Sequence, residues 1–204
     1  SDYTIVFVDT DKGITGIGEV CSVFKRRGAL LRSDIDNALA PAMKGEDPCR
    51  IAHLVRKLDL ALDGVEEAKA GIEMAAWDLF GRASGRSVAS MLGGERKEIL
   101  SGVSLGIERD IAQLYDLVDQ HLASGYRRVK LKIAKGYDVE VVEKVRARYP
   151  DVPLMVDANS AYTLADAEHL AKLDAFDLMM IEQPLAWDDF IDHAKLRAKI
   201  KTPI

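Results

Sequence analysis

The 204-residue chain has few cysteines, few aromatic residues and no long apolar run. Its two cysteines, Cys21 and Cys49, lack metal-type spacing, so we predict free thiols in a reducing compartment. No apolar run approaches the roughly 18 residues that a membrane-spanning helix requires. The first residues do not have the pattern of a signal peptide. These absences favour a cytoplasmic protein with no membrane partner.

An excess of basic residues is also missing. The formal net charge is -5 and the isoelectric point is about 5.4, which argues against nucleic acid as a main partner. The apolar fraction of 48% and the charged fraction of 30% are ordinary for a globular protein. The length allows one large domain or two small ones.

The first half of the chain has the pattern of a small α+β domain. Alternating apolar residues over 3–8, a turn at Asp11-Lys12-Gly13 and a second strand over 16–20 predict a hairpin. Helical periodicity follows over three segments, 35–43, 50–62 and 65–82. Glycines around Gly93-Gly94 then predict a domain boundary, giving domains over 1–94 and 95–204.

The second half alternates between short apolar strands and amphipathic helices. The predicted strands are 99–107, 128–133, 154–156 and 178–181, and the predicted helices are 111–123, 139–149, 164–173 and 190–200. Short, wholly apolar strands are typical of a parallel sheet that is buried on both faces. Repeated βα units predict an α/β fold, either a doubly wound sheet or a β/α barrel.

Charged residues at the ends of these strands recur at one interval. Lys130 and Lys132 share one face of their strand because side chains alternate. Asp157 follows Lys132 by 25 residues, and Glu182 follows Asp157 by 25 more. Ser104 lies near the corresponding place one unit earlier. In a β/α barrel these are the carboxyl ends of the strands, where active sites lie.

This set of side chains predicts one class of chemistry. Two neighbouring carboxylates repel each other unless a cation lies between them, and all-oxygen ligation favours Mg²⁺, with Mn²⁺ as the alternative. A nearby cation depresses the pKa of a lysine, which can then act as a neutral general base. The same cation can stabilise the enediolate formed when a carbon acid next to a carboxylate loses its proton. Each motif also has a structural interpretation, as a solvent-facing strand, a helix cap or a loop carboxylate. The equal spacing of the motifs along successive βα units favours the functional interpretation.

At this point the sequence resembles the enolase superfamily in its muconate-lactonizing branch, most closely the group of o-succinylbenzoate synthases and N-acylamino acid (N-succinylamino acid) racemases. The motifs that carry the resemblance are Val129-Lys130-Leu131-Lys132-Ile133, Val156-Asp157-Ala158-Asn159, Ile181-Glu182-Gln183-Pro184-Leu185, residues 68–79, Leu92-Gly93-Gly94, residues 102–107 and residues 157–164.

The resemblance implies a capping α+β domain followed by a modified β/α barrel. Its implied roles are an acid/base lysine (Lys132), a neighbouring lysine that helps to stabilise the enediolate (Lys130), metal ligands (Asp157 and Glu182), a residue beside the metal or the substrate carboxylate (Asn159) and a residue near the substrate (Ser104). A capping loop over residues 21–28 would set substrate specificity. The implied partner is a small-molecule carboxylate, and relatives commonly form homo-oligomers.

The implied reaction is the metal-assisted dehydration of a cyclohexadiene carboxylate, or the racemization of an N-acylated amino acid. Alternatives within the superfamily are a dipeptide epimerase, a muconate cycloisomerase and an amino acid dehydratase. Alternatives of another class are a non-catalytic binding protein and a phosphate-binding barrel enzyme.

The family pattern also has a third carboxylate on the fifth barrel strand and a second lysine on the sixth. About 110 residues follow Gly94, whereas a whole barrel takes about 250. We therefore expect an incomplete barrel: part of a longer protein, a fragment, or a half-barrel that assembles with another chain. We expect the 204-residue chain alone not to catalyse racemization.

Overall fold

The computed structural model describes residues 3–21 and 28–204, and the chain divides into two compact units, Ser1–Arg96 and Lys97–Ile204. Most of the predicted specificity loop, residues 22–27, lies outside the described residues. Within those described ranges, no helix is long and apolar enough to cross a membrane. Cys21 and Cys49 are free thiols, as predicted.

The first unit begins with the predicted hairpin. Strands β1 (Tyr3–Asp9) and β2 (Thr15–Cys21) pair antiparallel. The helices that follow are α1 (Gly28–Asp34), a π-helical turn (Ile35–Leu39), α2 (Ala40–Met43), α3 (Ile51–Ala61), α4 (Glu66–Ser84) and α5 (Val88–Met91). The helix predicted over 35–43 begins too late. The buried side chains of Leu31, Ile35 and Leu39 keep the i, i+4 spacing, so the helical segment extends back into α1.

Helix α4 packs directly against the backbone of β2. A Cβ atom on Gly18 would collide with the carbonyl oxygen of Gly71, and one on Gly16 with the carbonyl oxygen of Ala75. Only glycine permits so close an approach of strand and helix. The carboxylate of Asp78 on α4 accepts a 2.9 Å hydrogen bond from the backbone N–H of Ile17. The helix thus covers β2 without an intervening layer of side chains.

The second unit is a four-stranded parallel sheet with helices between its strands. Strands β3 (Gly102–Leu105), β4 (Arg128–Lys132), β5 (Leu154–Asp157) and β6 (Ile181–Glu182) lie side by side in that order. The helices are α6 (Ile111–Ala123), α7 (Val139–Arg148), α8 (Ala167–Leu170) and α9 (Phe190–Arg197), with 3₁₀ turns at Leu164–Asp166 and Ala171–Phe176 on either side of α8. Sequential strand order is that of a β/α barrel, whereas a doubly wound sheet reverses it.

Four predicted elements in this unit differ from the structure, the simplest being the helix over 190–200, which ends at Arg197. The strand over 99–107 pairs only along β3, and its first residues Ile99 and Leu100 are exposed. The helix over 164–173 is a short α-helix between two 3₁₀ turns, which apolar spacing alone does not distinguish from a continuous helix. The strand over 178–181 starts late, although the N–H of Met179 already donates to Leu154 O at 2.8 Å.

The core of the second unit lies between the sheet and its helices. Its largest fully buried side chains are Leu114, Leu131, Ile133, Leu154, Leu170, Leu173, Ile181, Leu185 and Leu196. Beyond β6, the backbone N–H of Ile181 donates to Pro203 O at 2.8 Å. Hydrogen bonding between neighbouring segments therefore continues on the far side of β6.

Candidate active site

The carboxyl ends of β4, β5 and β6 bring the predicted charged residues into one row. Lys132 lies opposite Asp157 in the parallel register, and Asp157 lies opposite Glu182. Parallel neighbours in register point to the same face of a sheet. The 25-residue interval in the sequence therefore corresponds to adjacent positions in space.

Four side chains converge at this row. Lys130 Nζ lies 2.7 Å from Glu182 Oε2 and 3.6 Å from Asp157 Oδ2. Lys132 Nζ lies 3.6 Å from the same Asp157 oxygen. The side chain of Asp157 is only 10% exposed, whereas that of Glu182 is 39% exposed. The cluster thus has a buried carboxylate on one side and an accessible one on the other.

The surroundings of Lys130 favour its charged form. Burial disfavours the charged form of Lys130, but its hydrogen bond to Glu182 and the charge of Asp157 outweigh that cost. The pKa of Lys130 is therefore raised above its ordinary value of 10.5. This direction is opposite to the lowering expected of a lysine beside a metal ion. A cation bound by the two carboxylates would compete for the charges that hold Lys130 protonated.

Asn159 orients the buried carboxylate. Its backbone N–H and its side-chain Nδ2 both donate to Asp157 Oδ1, at 3.0 and 2.8 Å. The other oxygen, Oδ2, is thereby left facing the lysines. The predicted contact of Asn159 with substrate or metal stays a prediction. What the structure gives is a partner that fixes the rotation of Asp157.

Ser104 lies on the neighbouring strand β3, in register with Lys130. It is exposed, and parallel register puts its side chain on the face that carries the lysines. The contact of Ser104 with the substrate therefore stays a prediction, and its exposed position on this face is compatible with it.

The loops after β5 and β6 hold three non-glycine residues in the left-handed region. Their φ angles are 40° for Asn159, 63° for Ser160 and 45° for Gln183. Such conformations cost about 1 kcal/mol or more each and occur disproportionately at functional sites. Each carboxylate strand thus ends in strained backbone, which a sequence without glycine at these positions does not reveal.

A second polar cluster lies in the loops that follow β4 and β5, and sequence analysis missed it. The buried carboxylate of Asp138 accepts hydrogen bonds from Tyr162 Oη at 2.8 Å and from the backbone N–H of Val139 at 2.6 Å. His169 Nε2 lies 2.9 Å from the same Asp138 oxygen that Tyr162 contacts. Although burial alone would raise the pKa of Asp138, these contacts lower it below 3.8. Asp138 immediately precedes α7, so a helix-cap pattern was the only available signal.

The geometry is suited to a hard divalent cation. Carboxylate oxygens from two adjacent strands converge on one positively charged atom, Lys130 Nζ, and such oxygens are the ligands that Mg²⁺ prefers. No group of three or more histidine, cysteine, aspartate or glutamate side chains within residues 3–21 and 28–204 forms a complete site. The described residues therefore offer two adjacent carboxylates, Asp157 and Glu182, as candidate ligands of a cation.

Two family models match the chain. Residues 1–93 match the mandelate racemase / muconate lactonizing enzyme N-terminal domain, and residues 113–204 match the enolase C-terminal domain-like model.

Individual relatives agree with these family matches. The chain is 55% identical to an o-succinylbenzoate synthase of Geobacillus kaustophilus, over 67% of this chain and 36% of that protein. It is 50% identical to an N-succinylamino acid racemase of Thermus thermophilus, over 67% of this chain and 37% of that protein. A solved racemase from Streptomyces coelicolor with bound magnesium superposes with a TM-score of 0.89 at 27% identity, covering 98% of this chain and 59% of that one. The chain therefore spans less than two thirds of each of these relatives.

Proposed function

The chain belongs to the enolase superfamily, in the mandelate racemase and muconate lactonizing group, and on that premise we propose that it supplies a lysine base and two metal ligands to an enzyme that removes the proton alpha to a carboxylate. The observation that carries the proposal is the convergence of Lys130, Lys132, Asp157 and Glu182 at one edge of the sheet. Substrates of the synthase or the N-succinylamino acid racemase are the chemistry we favour, since a synthase is 55% identical and a racemase 50% identical to this chain.

Asp157 and Glu182 would hold Mg²⁺, with Mn²⁺ as the alternative, and a solved relative with bound magnesium supports this assignment. When bound, the cation supplies positive charge that offsets the negative charge developing on the substrate carboxylate. Asn159 holds Asp157 Oδ1, so Oδ2 is the oxygen directed to the cation side. The remaining ligands and the opposite lysine of the family pattern would come from residues other than those described.

Lys132 is the residue we assign as the base. Lys130 Nζ lies 2.7 Å from Glu182 Oε2 and 3.6 Å from Asp157 Oδ2, whereas Lys132 Nζ lies 3.6 Å from Asp157 Oδ2 and is the less tightly paired of the two. A general base must lose its proton before it accepts one from the substrate. Lys130 then acts as the charged neighbour that attracts the substrate carboxylate. Ser104, exposed on the same face, would contact the substrate.

Replacing Lys132 with Ala in the protein that carries this chain tests the assignment. We expect exchange of the substrate's alpha proton with D₂O, followed by proton NMR, to fall at least about a hundredfold. The matched control is Lys135→Ala, since this nearby exposed lysine pairs with Asp166 away from the row. Exchange that survives in the Lys132 variant removes this residue from the base role.

A panel of substrates separates the alternatives. N-succinylamino acids, dipeptides and the synthase substrate would each be assayed for turnover with Mg²⁺ and with Mn²⁺. Turnover of dipeptides alone would replace the favoured reactions with that of a dipeptide epimerase.

We further propose that the protein is cytoplasmic and forms a homo-oligomer. Native mass measurement would test the oligomeric state.

A further inference from the structure

The loops that follow the two carboxylates are joined to each other by a pair of residues. The backbone N–H of Ser160 donates to Gln183 O at 2.8 Å, and Gln183 Nε2 donates back to Ser160 Oγ at 2.8 Å. Both residues are half-buried and both have left-handed backbone conformations. A polar pair therefore stabilises backbone that would otherwise relax.

Regular pairing between β5 and β6 is very short. It has two residue pairs, Val156 with Ile181 and Asp157 with Glu182. The carboxylates thus lie on the last pair of the regular ladder. Beyond them the N–H of Ala158 still donates to Glu182 O at 3.0 Å.

The strained residues of these two loops require opposing contacts. The described chain has five non-glycine residues at positive φ, and three of them follow Asp157 or Glu182 within three positions. Strain that persists at one place is held there by its surroundings. Here the two hydrogen bonds between Ser160 and Gln183 hold the strained backbone in place.

We propose that Ser160 and Gln183 are positioning residues that keep the carboxylates of Asp157 and Glu182 at the spacing a divalent cation needs. This inference deepens the proposed function and rests on it for the identity of the ligand. The pair does not touch the reacting atoms. It joins the two strand ends just beyond them, so that the backbone that carries the two carboxylates keeps its spacing when a cation displaces the lysines.

Ser160→Gly separates positioning from stability. Glycine removes the hydroxyl that accepts from Gln183, and it also relieves the strain of the φ angle of 63°. We expect thermal unfolding to occur at the same or a higher temperature, while Mn²⁺ affinity, measured by electron paramagnetic resonance, falls about 3- to 10-fold. A merely structural role would move both quantities in the same direction.

Asp177→Gly is the matched control. Asp177 also has a positive φ, 46°, but it precedes β6 on the side away from the carboxylates. Its replacement should raise the unfolding temperature and leave Mn²⁺ affinity unchanged. An equal loss of affinity in both glycine variants would overturn the inference.

Amide hydrogen exchange gives a readout without metal. The N–H of Tyr162, which donates to Pro184 O at 3.0 Å, lies just beyond the pair. In Ser160→Ala and Gln183→Met we expect its exchange to speed up about tenfold, and unchanged exchange would overturn the inference. If the wild-type protein that carries this chain binds no Mn²⁺ while exchange responds as expected, the metal-dependent function fails and the positioning of the two strand ends stands.

Discussion

The two edges of the parallel sheet are held together by different kinds of side-chain contact. At the amino-terminal edge, Arg146 donates to backbone carbonyl oxygens, and Asp174 accepts from the backbone N–H groups of Lys201 and Thr202. The carbonyl partners of Arg146 are those of Phe176, Tyr149, Pro150, Val152 and Asp177. These bonds fix the loops that lead into β5 and β6.

At the carboxyl-terminal edge, side chains bind other side chains in addition to backbone N–H groups. Lys130 binds Glu182, Asn159 binds Asp157, and Tyr162 binds Asp138. A side chain can exchange its partner for a ligand by rotating, whereas a bond to the backbone is lost only when the chain moves. The comparison supports a structural role for the first edge and the proposed chemistry for the second, as is general in β/α barrels.

The largest effect on stability is expected at Arg146. Arg146→Met keeps an unbranched apolar side chain but removes the guanidinium, which leaves five carbonyl oxygens without this donor. Charge-assisted hydrogen bonds are strong, so we expect the free energy of unfolding in urea to fall by about 2–4 kcal/mol. Mn²⁺ affinity should stay the same, because the row of lysines and carboxylates lies at the other edge.

Arg148→Met is the control for Arg146. Arg148 lies on the same helix, but its partner Asp119 and its own side chain are about half exposed. Its replacement should cost much less stability. If Arg146→Met leaves stability intact or weakens Mn²⁺ binding, the proposed division between the two edges is wrong.

The second prediction concerns the pH dependence of stability at Asp138. The folded pKa of Asp138 is lowered, because its contacts with His169, Val139 and Tyr162 outweigh the effect of burial. A depressed pKa adds stability above the ordinary value of 3.8, and this contribution is lost as pH falls through the folded pKa.

Asp138→Asn should therefore unfold more easily at pH 7, by about 1–2 kcal/mol, and lose less stability than the wild type on acidification. Urea unfolding between pH 3 and pH 7 checks both expectations. If the free energies of unfolding of the two proteins fall in parallel as the pH is lowered, Asp138 is not the group responsible for the loss of stability.

The parts of this molecule that sequence predicts are those with a regular period. Helix α6 occurs over the predicted residues, and the interval linking Lys132, Asp157 and Glu182 becomes one row of the sheet. Both follow from local geometry that repeats along the chain.

The parts that sequence does not predict are long-range side-chain pairs. Asp138 and His169 are separated by 31 residues, and Ser160 and Gln183 by 23. Neither pair belongs to a repeating pattern, because loop conformation decides which partners meet. The left-handed backbone of Gln183 is equally hidden, since glycine is the usual indication of a positive φ.

The smallest effect is expected at an exposed ion pair of the carboxyl-terminal edge. Lys135 Nζ lies 2.8 Å from Asp166 Oδ2 and joins the turn after β4 to the segment after β5. Contacts with Lys135 and with Thr163 lower the pKa of Asp166 to about 2, and Lys135 is the larger cause. Lys135→Met should raise that pKa towards 3.8, as followed by carboxyl NMR, with little change in unfolding temperature. Added salt should reduce the difference in the pKa of Asp166 between the wild type and the Lys135 variant. An unchanged pKa would assign the effect to Thr163, and a large loss of stability would mean that this edge, too, depends on fixed contacts.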